Sequence, residues 1–171
     1  FIGEPDPSEG IGLEADTDVD ADADADADTD SDADSDCPEP DFDLGSELGA
    51  NIGSGNTCFG EDDFAKTCGG IPGPDLAYSW TAPYEGAFQI DLLGSEFDTV
   101  LTIRSACPEP VEIECNDDFQ LNTSSGVQRN FAADQPVVLV VEGFNINCGL
   151  FQINIQELPP DAFAPTDTSE P

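Results

Sequence analysis

The chain has no histidine and no methionine, three basic residues and a single tryptophan among 171 residues. Without histidine, neither a Ser-His-Asp nor a Cys-His catalytic arrangement can be built. A zinc site would have to use cysteine and carboxylate alone, and the six cysteines include no C-x-x-C pair. A carboxylate pair could hydrolyse glycosides, but among 38 acidic residues a pair carries no information. The expectation is therefore a non-catalytic protein. The shortage of cations is as informative. Only Lys66, Arg104 and Arg129 oppose those acids, for a net charge of −35. Nothing here can replace the counterions of a nucleic acid, and an anionic membrane surface would repel the chain. No apolar run approaches the roughly 20 residues of a membrane-spanning helix. The partners that remain are divalent cations, basic proteins and neutral glycans. Because position 1 is Phe rather than Met, a signal segment is expected to have been removed there. That places the protein outside the cell or on its surface. Six cysteines in an exported chain then point to three disulfides.

What is present is dominated by one stretch. Aspartate occupies every even position from 16 to 36: Asp16, Asp18, Asp20, Asp22, Asp24, Asp26, Asp28, Asp30, Asp32, Asp34 and Asp36. The odd positions between them are all Ala, Thr, Ser or Val. In an extended chain this period of two puts every carboxylate on one face, successive ones ~6.6 Å apart, over a length of ~70 Å. At that spacing repulsion opposes ordering, and hard cations with oxygen ligands relieve it. One reading is a Ca²⁺-binding arm; the other is a solvated, self-repelling spacer. Residues 1–15 form a Gly/Pro/acid-rich tip. Its apolar end, Phe1 and Ile2, is either a frayed terminus or an anchor contacting another subunit.

Beyond Cys37 the pattern is all-β. Short runs with alternating or continuous apolar residues are bounded by turn residues, and no helical period of useful length appears. Strands are expected within 41–50, then over 77–82, 87–93, 99–104, 111–115, 126–132, 137–142 and 150–156. A long Gly/Asn-rich loop is expected over 51–74. The uninterrupted run Val137–Val141 fits a central strand buried on both faces. Trp80 reads as core, although an exposed Trp80 or Tyr84 would stack on sugars. The fold class expected is all-β: a disulfide-stapled, jelly-roll-type β-sandwich over 37–157, preceded by the acidic arm over 16–36 and followed by a Pro-rich tail over 158–171. Loop lengths rank the disulfides as Cys58–Cys68, Cys107–Cys115 and Cys37–Cys148, out of 15 possible connectivities.

Three pieces of sequence carry a family resemblance. They are PDLAYSWTAPYEGAFQIDLLGSEFDTVLTIRSAC over 74–107, ECNDDF over 114–119 and VVLVVEGFNINCGLFQINI over 137–155. Together they resemble the bacterial pre-peptidase C-terminal domain, over about residues 42–157. The resemblance implies a jelly-roll sandwich appended to secreted proteases, glycosidases or surface proteins. It also implies kinship with collagenase collagen-binding domains, which bind Ca²⁺ through an acidic N-terminal linker. Nothing in this chain matches a collagen-binding surface.

Candidate ligands within the sandwich are Asp98, at a strand start, and Asn116, Asp117 and Asp118, after a strand end. Asp62 and Asp63, with Glu61, lie in the Cys58–Cys68 segment. Gathered at one loop end, these oxygens would make a Ca²⁺ site; singly, each also suits ordinary turn chemistry. The leading functional reading is an extracellular structural or adhesion module. Its arm is neutralised by Ca²⁺ and self-associates, within a fibre or surface layer. The alternative is a monomeric accessory or binding module for glycan or protein, with the acidic tract as a passive stalk.

Overall fold

A computed structural model describes residues 38–107, 111–160 and 162. The acidic arm, Phe1, Ile2, Cys37 and most of the tail lie outside the described residues. The described part is a two-sheet β-sandwich. One sheet has five strands in the order β1-β3-β8-β5-β6 and the other four in the order β2-β9-β4-β7. The strands are β1 Phe42–Asp43, β2 Gly49–Asn56, β3 Leu76–Thr81, β4 Gly86–Asp91, β5 Thr99–Ser105, β6 Glu112–Asn116, β7 Gly126–Phe131, β8 Pro136–Gly143 and β9 Leu150–Glu157. All pairings are antiparallel except the short parallel contact of β1 with β3. Among the described residues, no helix is long and apolar enough to cross a membrane.

Period-two alternation builds the core. Phe88, Ile90 and Leu92 from β4 and the turn after it meet Phe151, Ile153 and Ile155 from β9. From the other sheet come Trp80, Leu101, Ile103, Leu139 and Val141. Trp80 is fully buried, as expected. Its ring meets Phe88 and Phe131 edge-on, and its Nε1 donates to the Glu47 carbonyl at 3.0 Å. That satisfies the one polar atom of the indole. Val137–Val141 is the central strand predicted, and both of its faces are covered. Val137, Leu139 and Val141 enter the main core, while Val138 and Val140 pack with Ala77 under Phe64. Phe64 belongs to the long connection between β2 and β3, which therefore lies across the outer face of the five-stranded sheet.

Two expectations are corrected. Residues 51–56 are not loop but the body of β2. Its glycines permit close packing: a Cβ on Gly55 would stand 3.0 Å from Leu76 and from the Phe151 ring. The disulfides also differ, since Cys58 bonds Cys148 and Cys68 bonds Cys115. Antiparallel pairing of Asn56 with Leu150 brings Cys58, just after β2, beside Cys148, just before β9, at a Cα separation of 4.9 Å. The loop carrying Phe64 lays Cys68 on β6 in the same way. Loop length ranked local pairings first because it knows nothing of which strands are neighbours. Cys107 is disulfide-bonded too.

Candidate functional site

Strand register gathers four connections at one end of the sandwich: residues 57–75, 92–98, 117–125 and 144–149. Asn56 pairs with Leu150, Asp91 with Gly126, Thr99 with Gly143 and Leu76 with Val141, so the chain leaves each pair toward the same end. The two sheets are laced there by hydrogen bonds from the Thr99 N–H to the Thr123 carbonyl and from the Ser125 N–H to Thr99 Oγ1.

A buried charge centre holds this end. Lys66 Nζ lies 2.6 Å from Glu142 Oε1, with the two side chains 1% and 2% exposed. The ammonium also donates to the Gly143 carbonyl at 2.8 Å, and the Gly73 N–H donates to Glu142 Oε1 at 2.6 Å. Burial pushes the Glu142 carboxyl up from its ordinary value, against the opposing pull of Lys66 and Gly73. Asp62 adds a smaller upward push. Beside this pair sits Asp75, 3% exposed. Its Oδ2 accepts from the N–H groups of Asp63 and Phe64 at 3.1 and 3.0 Å. Burial raises its carboxyl to about 7, and the nearby Glu142 and Asp63 charges add to the rise. Pairing and hydrogen bonding of this kind are what allow charges to persist out of water.

The candidate ligands named from the sequence divide accordingly. Asp98, Asp117 and Asp118 are neighbours. Partial burial, followed by repulsion from Asp118 and Asp117, raises the Asp98 carboxyl. Asn116 does not join them as a ligand, because its Oδ1 accepts from the Gly126 N–H at 3.0 Å. Asp62 and Asp63 are exposed in the 57–75 connection, close enough to act on Glu142 and Asp75. Adjacent backbone links the charge centre to Asp98: the Gly143 carbonyl accepts from Lys66, and the Phe144 N–H donates to the Asp98 carbonyl at 2.9 Å. Among the described residues, no group of three or more acidic or thiol side chains is arranged to hold a metal. The carboxylates of Asp98, Asp117 and Asp118 suit Ca²⁺ chemically. The deeper oxygens of Asp75 and Glu142 are engaged by N–H groups and by the Lys66 ammonium.

Lys66, Asp75 and Glu142 were not singled out from the sequence. Two signals were available: Lys66 is one of three cations, and Glu142 closes an otherwise apolar strand.

The same end presents large apolar side chains to solvent. Phe59 is 87% exposed, Ile146 72% and Ile71 62%, and Leu121 is fully exposed. Leu121 and Gln120 both have positive φ, 62° and 52°, in the tight turn closed by the Phe119–Asn122 bridge. A turn of that hand ordinarily uses Asn-Gly, and a side chain there costs about 1–2 kcal/mol per residue. Backbone strain thus accompanies an apolar tip held outward.

No protein-family model and no curated protein matches the chain. Among solved structures, the chain is similar to a domain of a collagenase from Bacillus anthracis. The likeness is to its pre-peptidase C-terminal domain. It has a TM-score of 0.47 at 10% identity, and covers 70% of this chain and 98% of that one.

Proposed function

We propose that the chain is an exported, non-catalytic adhesion or structural module of a bacterial surface. The sandwich is its folded head, and the Asp-rich arm binds Ca²⁺ and brings copies together. One observation carries the reading. The loop end is locked by the Cys58–Cys148 and Cys68–Cys115 disulfides and by the buried Lys66–Glu142 pair, yet displays Phe59, Ile71, Ile146 and Leu121 to solvent. Apolar loops on a rigid frame suit contact with another macromolecule. The disulfides suit an oxidising compartment. Ca²⁺ would be held chiefly by the eleven aspartates at even positions 16 to 36, with Asp98, Asp117, Asp118, Asp62 and Asp63 as further ligands on the sandwich. Phe1 and Ile2 would supply the contact between copies.

Electron microscopy and small-angle scattering of the full chain, with millimolar Ca²⁺ and with chelator, test the proposal. Polymers that form with Ca²⁺ and dissolve with chelator are expected. Monomers under both conditions would overturn assembly and leave a monomeric accessory module with a passive stalk.

A further inference from the structure

The outer face of the four-stranded sheet is built from amides. Phe151, Ile153 and Ile155 point into the core, so Gln152, Asn154 and Gln156 point outward along β9. Gln89 and Asp91 on β4, and Gln128 on β7, fall on the same side through the pairs Gln89–Gln128, Gln89–Gln156 and Asp91–Asn154. Four of the chain's six glutamines thus share one face. No cation points from it: Arg129 is turned to Glu114 of the other sheet at 3.4 Å, and Lys66 and Arg104 belong to the other sheet's side.

Three of these amides, Gln89, Asn154 and Gln128, are oriented by a buried carboxylate. Asp91 is 2% exposed although it lies on the solvent side of its strand. Its Oδ2 accepts from Gln89 Nε2 at 2.6 Å, and its Oδ1 accepts from Asn154 Nδ2 at 2.8 Å and from the Leu93 N–H at 3.1 Å. Gln89 Oε1 in turn accepts from Gln128 Nε2 at 2.7 Å, and Asn154 Oδ1 accepts from the Asn51 N–H at 2.9 Å. Asn51 sits at the irregularity in β2 between Gly49 and Gly53. One charge therefore fixes which way Gln89, Asn154 and, through Gln89, Gln128 point before any ligand arrives, and the Leu93 carbonyl accepts from Gln152 Nε2 at 2.7 Å; preset amides lower the ordering cost of binding.

The surface over this network is concave. A hollow of about 310 Å³ is lined by Gln89, Asp91, Asn154 and Gln156. A second, of about 580 Å³, lies toward Ala87 and Asn130. A third, of about 210 Å³, lies toward Gln152, Asn51 and Ser54. The three follow one another diagonally over the sheet, from the start of β4 beside β7 to the start of β9 beside β2.

We propose that this face binds a neutral polysaccharide laid across the sheet over Gln128, Gln89, Gln156, Asn154 and Gln152. An oriented amide offers a donor and an acceptor side by side, which matches vicinal hydroxyls. A face with carboxylates and no cation rejects acidic glycans. The row of hollows suits an extended polymer rather than one compact molecule. The inference rests on the reading of the chain as a binding module.

Native gel electrophoresis of the full chain in gels containing arabinoxylan, laminarin or dextran tests it, with polygalacturonate as the acidic polymer and oligolysine as a basic peptide. Retardation by at least one neutral polymer and none by polygalacturonate is expected. The Gln128→Ala/Gln156→Ala variant changes exposed positions and should remain folded while binding about tenfold more weakly. Gln156→Ala alone should lose about threefold, and Phe59→Ser at the loop end should bind as the parent does. Retardation by none of the three neutral polymers overturns the proposal. So does a double variant that binds like the parent, or oligolysine as the only ligand whose binding the variants weaken. Failure here with Ca²⁺-dependent polymers intact would sink only the polysaccharide site; retardation by a permanently monomeric chain would sink only the assembly.

Discussion

Replacing Asp75 by asparagine should stabilise the protein at neutral pH and leave it unchanged in acid. Asp75 is buried, and its carboxyl is raised to about 7 by loss of water first and by the Glu142 and Asp63 charges second. In the unfolded chain it would titrate near 3.9. A folded value above the unfolded one means that the folded state prefers the proton. The stability linked to that proton is complete below about pH 4 and drains away as pH rises toward 7. A gap of about three units at 1.36 kcal/mol per unit sets an upper figure of about 4 kcal/mol. Asparagine keeps one oxygen to accept from the Asp63 and Phe64 N–H groups and cannot ionise. Asp75→Asn should therefore match the parent near pH 4 and exceed it by about 2–4 kcal/mol near pH 8. Denaturant unfolding of both proteins across that range is the assay. Taking the difference cancels the repulsion among the many other carboxylates. A difference that does not change with pH, or a variant less stable near pH 8, would refute the reasoning.

Lys66→Met should leave Glu142 buried without its counter-charge. The expected loss is about 3–5 kcal/mol near neutral pH, shrinking in acid as Glu142 takes up a proton; unfolding at two pH values checks both parts. Removing the Cys58–Cys148 bridge by double alanine substitution releases a closure of 90 residues. It should cost up to about 4–5 kcal/mol in the chain-entropy model, read as a lower denaturation midpoint.

Much of the sandwich was legible because its strands obey a period of two. Phe88, Ile90 and Leu92 alternate cleanly, and Val137–Val141 announces a strand covered on both sides; each lies where the pattern put it. The glycine-rich β2 was not legible. Its glycines mimic a loop, and only the crowding of Leu76 and Phe151 around Gly55 explains them. At the loop end, acidic positions such as Asp98, Asp117 and Asp118 could be named, because turn-bounded strands of one sandwich return their connections to common ends. What holds that end could not be foreseen. The Lys66–Glu142 pair joins residues separated by most of the domain.

By itself, the sequence determined the all-β class, the burial of Trp80, the exclusion of histidine-dependent chemistry, and the alternation that divides core from surface. These depend on composition and on neighbours along the chain. Tertiary structure alone decided the pairing of Cys58 with Cys148 and of Cys68 with Cys115, the burial of Lys66 against Glu142, and the gathering of Gln128, Gln89, Asp91 and Asn154 into one oriented network. Each joins residues that meet only when particular strands become neighbours, and strand order is set by the packing of the whole core.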